Sequence, residues 1–87
     1  MPPTDPRLRP RLERALPADR VPGTTQVLDW PEIWDVEFGS GEWRSVHVRA
    51  RAQDRQGREV LDVENYVAGG TWLDSLVADP SRMRERG

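Results

Sequence analysis

Between residues 33 and 77 the chain alternates apolar and polar side chains in three or four short runs joined by glycine-containing turns. That period of two, bounded by turn residues, specifies a small, strongly bent antiparallel sheet. With 87 residues in all there is room for one domain, and a chain of this size buries only about 60% of the surface its unfolded form exposes. Large aromatic side chains must therefore supply bulk. Trp30, Trp34, Phe38, Trp43, Tyr66 and Trp72 all fall within or beside the strand runs.

The strands can be placed one by one. Trp34, Val36 and Phe38 alternate with Asp35 and Glu37, and Gly39-Ser40-Gly41 then turns the chain. In the second run Val46, Val48, Ala50 and Ala52 are expected on one face, with Ser45, His47, Arg49 and Arg51 on the other as a basic stripe. Asp54-Arg55-Gln56-Gly57 has the form of a type I turn closed by a left-handed glycine. A third strand follows from Arg58 to about Tyr66, with Leu61 and Val63 inward and Asp62 and Glu64 outward, facing the arginines across the hairpin. Ala68-Gly69-Gly70 makes the third turn, Thr71 to Val77 a fourth strand, and Asp79-Pro80 its stop, before a last short strand or helical turn over residues 81–84. Four or five strands in so short a span expose two long edges unless the sheet curls, so an all-β, five-stranded antiparallel barrel is expected over residues 28–87.

Residues 1–27 form a separate N-terminal arm, with Asp5-Pro6 resembling a helix start and a short helix expected over residues 10–16. Pro17, Pro22 and Gly23 then break the chain. The arm is read as a frayed, partly helical or disordered terminus whose few leucines pack on the barrel, against the alternative of a basic binding arm.

Composition narrows the function. There is no cysteine, which removes disulfides, thiolate metal sites and a cysteine nucleophile and fits a reducing, cytoplasmic setting. No apolar run approaches the ~20 residues of a membrane span, and Met1-Pro2-Pro3-Thr4-Asp5 lacks a signal peptide's features. The net charge of −2 conceals bands: five acids and no base over residues 28–42, five arginines against Asp54 over 43–58, and five acids and no base over 59–79. Such banding predicts either distinct acidic and basic faces or an evenly solvated surface. All thirteen basic residues are arginine, a uniformity that fits codon bias in a GC-rich genome.

Catalysis has little to work with. His47 is the lone histidine and there is no cysteine, so a Cys-His pair is excluded and a nucleophilic triad is not expected. A His47, Asp62 and Glu64 set holding a metal is the remote enzymatic alternative, with carboxylate pairing to Arg49 and Arg51 the expected outcome. No cofactor is called for by any phosphate loop or zinc spacing.

The runs Val36-Glu37-Phe38, Gly41-Glu42-Trp43-Arg44-Ser45-Val46-His47-Val48, Asp54-Arg55-Gln56-Gly57-Arg58-Glu59-Val60-Leu61-Asp62-Val63-Glu64-Asn65-Tyr66, Thr71-Trp72-Leu73 and Asp79-Pro80-Ser81-Arg82-Met83-Arg84 resemble the SH3-like barrels of the Tudor, MBT and agenet type. The resemblance spans residues 33–84 and is one of turns and aromatics. It implies an aromatic cage at one end of the barrel, with Phe38, Trp43 and Tyr66 at the matching positions, where ring faces attract a cation by about 0.5–2 kcal/mol. Glu37, Glu64 and Asn65 would set the polarity, Trp72 would add contact surface, and Trp34 would pack. Val67-Ala68-Gly69-Gly70 stands where those domains carry an asparagine after the tyrosine, which speaks against methylated-arginine recognition.

The function expected from all this is a non-enzymatic interaction module for an extended or basic protein segment, a monomer or a weak homodimer through sheet edges. The alternative partner is nucleic acid, held by Arg44, His47, Arg49, Arg51, Arg55 and Arg58 with Trp43 for stacking. The acidic pI of about 5.3 opposes it.

Overall fold

Glycine fixes the first two hairpins. Gly41 (φ 88°) and Gly57 (φ 78°) adopt left-handed backbone, a conformation that costs other residues roughly 1–2 kcal/mol. The first turn is closed by the amides of Gly41 and Phe38, which donate to the carbonyls of Phe38 and Glu42 at 2.8 Å each. The second is closed by Gly57 donating to Asp54 at 3.0 Å. Its buried Asp54 carboxylate also accepts the amides of Gln56 and Arg58 at 2.9 and 2.8 Å.

A computed structural model describes residues 6–67 and 70–86. The chain is all-β: β1 (Gln26–Glu37), β2 (Trp43–Gln53), β3 (Glu59–Val67), β4 (Gly70–Val77) and β5 (Met83–Glu85) form one antiparallel sheet. Strand order is β4-β3-β2-β1-β5, so β4 and β5 are the edges. They do not pair with each other among the described residues, so what is seen of the expected barrel is one five-stranded sheet without the strand pairing that would close it. Ala68 and Gly69 of the third turn, and the helix start at Asp5, lie outside the described residues. No helix among the described residues is long and apolar enough to cross a membrane.

One face of the sheet carries the main core: Val36, Phe38, Val46, Val48, Leu61, Val63, Leu76 and Met83, with Leu12, Leu28 and Trp34 packed against it. The other face follows from a bulge in β2. Val48 pairs with Val63 but Ala50 pairs with Asp62, leaving Arg49 as an extra residue. Ala50 and Ala52 therefore turn away from Val46 and Val48. They join Val60 and Val77 as a second buried layer on the opposite face. The single-faced apolar row expected for this strand is in fact split between two faces, and so is the basic stripe.

The arm does not form the expected helix over residues 10–16. It is extended between two short 3₁₀ turns, Pro6–Leu8 and Pro17–Asp19, because its polar backbone is taken up by the sheet. The Arg11 amide donates to Glu37 at 2.8 Å and Gly39 donates to Arg9 at 2.9 Å, at the end of β1. Ala15 then donates to Ser75, and Val77 to Glu13, both at 2.8 Å, along the β4 edge. Beyond Pro17 the arm crosses to the end of β2, where Val21 donates to Gln53 at 2.9 Å. The arm is thus an integral part of the fold, linking β4 to the ends of β1 and β2.

Candidate functional site

The arm's crossing leaves a cleft of about 890 Å³ against the second face of the sheet. Ala50, Val60, Asp62 and Ser75 come from the sheet, Ala15, Leu16 and Pro17 from the arm, and Val27, Glu64 and Leu73 line it as well, among others. The register explains the set. Val27, Ala50, Asp62 and Ser75 form one cross-strand row, and Ile33, His47, Glu64 and Leu73 the row beside it. Leu73 is 71% exposed, and Leu16, Val27 and Ile33 are exposed as well.

Charges in the cleft are paired internally. Arg20 holds Asp62 through two hydrogen bonds, Nη2 to Oδ1 at 2.5 Å and Nη1 to Oδ2 at 3.1 Å. The Ser75 hydroxyl donates to the same carboxylate at 2.7 Å. Burial pushes the Asp62 carboxyl up, but the bonds from Arg20 and Ser75 and the nearby positive charge outweigh it, leaving it below the ordinary range. The Arg20 guanidinium is raised in turn, chiefly by its bond to Asp62. Glu64 accepts from Arg49 at 3.0 Å, and Asp74 lies 3.6 Å from both Arg9 and Arg14.

Of the residues singled out for a cage, the structure does not bring Phe38 to the surface. It is 0% exposed and sits in the main core, because the arm bridges to it through Pro10 and seals that end of β1. Asn65 is also buried, its Nδ2 donating to no partner among the described residues. Both are corrected from contact surface to interior. Trp43 is 38% exposed, on the same face as Ile33 and His47, and the Arg84 guanidinium lies 4.0 Å from its ring centre. Glu37 is engaged by Arg82 at 2.9 Å and Arg11 at 3.3 Å. The side chains of Tyr66 and Trp72 lie outside the described residues.

The arginines proposed for nucleic acid each have a protein partner. Arg44 bonds Glu42 at 3.0 Å and lies over the Phe38 ring. Arg49 holds Glu64, and Arg51 holds Glu32 and Glu59. Arg58 reaches both Asp54 and Glu13 at 2.8 Å, and Arg55 donates to the Ala18 carbonyl at 3.2 Å. Arg49 and Arg51 thus pair across strands, the basic β2 lying between the acidic β1 and β3, while Arg44 and Arg58 pair with acids of their own hairpins. A phosphate would have to displace a carboxylate at most of these positions. His47 is the ladder partner of Ile33 and Glu64, while Asp62 is taken by Arg20 rather than Arg51. No group of three or more His, Asp or Glu side chains among the described residues is arranged to hold a metal ion.

Leu16, Val27 and Leu73 are the site residues that sequence patterning leaves unmarked, since their meeting depends on the arm's crossing. Trp30 had a signal: Pro31 inside a strand run marks an irregular backbone. Among known proteins, no family model matches the chain, and no curated protein or solved structure matches it.

Proposed function

We propose that this chain is a non-enzymatic binding module that takes up an extended protein segment in the cleft between its arm and its sheet. The observation that carries the reading is the gathering of exposed Leu16, Val27 and Leu73 around one concave site. Scattered exposed aliphatics are ordinary, whereas apolar groups grouped on a cleft favour contact with a partner. The cleft's volume is of the size that accepts several side chains. Three guanidiniums, of Arg14, Arg20 and Arg49, balance the three carboxylates of Asp62, Glu64 and Asp74, so the segment is selected through its apolar groups rather than its charge. Trp43, Ile33 and His47 extend the surface along the same face.

Selection from a displayed peptide library on the wild-type protein tests this, with Leu73→Glu as counter-target. Enriched peptides should carry apolar anchors and lose binding to the variant by at least tenfold, the factor that about 1.4 kcal/mol supplies. Peptides that bind both proteins equally would place the site elsewhere.

A further inference from the structure

Trp30 is 83% exposed, more than any other large apolar side chain among the described residues. It stands on a protrusion. Val27 pairs with Ala50 and Glu32 with Val48, so residues 28–31 of β1 face the single residue Arg49 of β2. Four residues against one push the backbone out of the ladder, and Pro31 restricts its conformation. An indole presented this way contributes nothing to the chain's own core, yet tryptophan is the residue most often found as an energetic anchor between proteins.

The same chain carries a receptacle for it. Val27, three residues before Trp30, lines the cleft, and Trp30 itself does not. We propose that two copies of this chain pair reciprocally, each seating Trp30 in the cleft of the other. The proposal rests on the reading of the cleft as a binding site and names a second copy as its occupant. Because knob and hole are neighbours in the chain, a two-fold axis can bring both contacts into one interface, giving a closed dimer rather than an open filament. The chemistry agrees. Leu16, Val27 and Leu73 offer apolar contact, the charges are already neutralised, and Asp62, Glu64 and Ser75 provide acceptors for the indole N–H. Two indoles bury roughly 150–250 Å² each, short of the ~1,000 Å² of a stable interface, so the pairing is weak and reversible rather than permanent.

Sedimentation of the full chain over a concentration series tests this, using wild type, Trp30→Ala, Leu73→Glu and an equimolar mixture of the two variants. Both changes are at exposed positions, and circular dichroism checks that each variant folds. Wild type should dimerise, and each variant alone should do so at least about 30-fold more weakly, the loss expected of an anchor residue. In the mixture, the Trp30→Ala chain keeps its cleft and the Leu73→Glu chain keeps its indole. Mixed dimers should therefore form more tightly than either variant's own. Wild type that stays monomeric up to about 1 mM, a Trp30→Ala chain that dimerises like wild type, or a mixture no tighter than its components would each overturn the proposal. Peptide selection separates the two readings: cleft-binding peptides on a monomeric protein would sink the dimer alone, and a Trp30-dependent dimer yielding no peptides would sink the peptide reading alone.

Discussion

Val48 and Ala50 stand two residues apart on β2 and face opposite sides of the sheet, because the first pairs with Val63 and the second with its neighbour Asp62. In an unbroken strand they would share a face. The bulge at Arg49 divides one apolar row into two and puts Ala50 and Ala52 with Val60 and Val77 in a second buried layer. Ala52→Leu should therefore overpack this second layer, costing about 1–3 kcal/mol in urea unfolding and speeding amide exchange at Val21. A neutral outcome would mean that Ala52 has free space above it.

The arm's hydrogen bonds make a direct prediction for exchange in the wild-type chain. The amides of Arg11, Ala15 and Val21 donate to strand carbonyls, so they should exchange slowly, within reach of the β2 and β4 amides. Exchange at the rate of a free peptide would show that the arm is not docked in solution.

Phe38 and Trp43 separate interior from surface. Phe38→Ala removes a fully buried ring and should cost about 3–5 kcal/mol, a large share of the stability available to one small domain. Trp43→Ala gives up a half-exposed ring and its contact with Arg84, and should cost about 1–2 kcal/mol with the fold retained. Thermal melts of both variants decide it. Equal losses would contradict the burial difference.

What could be read from the sequence was local. The Asp54 to Gly57 turn is determined by the residues that build it, and strands of period two follow from side-chain alternation alone. The bulge escapes such a reading because alanine fits either face, so Val46, Val48, Ala50 and Ala52 look like one row. The arm escapes it for a different reason. Its pairing with Ser75 and Val77 joins segments some sixty residues apart, and extended backbone held by remote partners leaves no periodicity of its own. Pro17 marks only where the expected short helix would stop. The cleft inherits that blindness, being formed by the crossing. Phe38 shows the complementary limit: an aromatic beside a turn suits a cage or a core equally until the segment that covers it is known.

The bond between Arg20 and Asp62 pins the crossing, and its contribution depends on pH in a definite direction. Asp62 is held below its ordinary value of 3.8 in the folded chain. A carboxylate with a lowered folded pKa adds stability that is fully present above the unfolded value and is lost as pH falls through the folded one. The raised Arg20 titrates far above this range and adds nothing to it. At neutral pH, Arg20→Ala should cost about 1–2 kcal/mol, since the pair is charge-assisted but partly open to solvent. The difference from wild type should shrink as pH falls below about 4. Glu32, Asp54 and Asp79 also lie below their ordinary values, but both proteins keep these groups and they cancel in the comparison. Urea unfolding of the two proteins at pH 7 and at about pH 3 provides the measurement. A difference that is unchanged or larger in acid would mean that Arg20 acts through packing of its stem and not through Asp62.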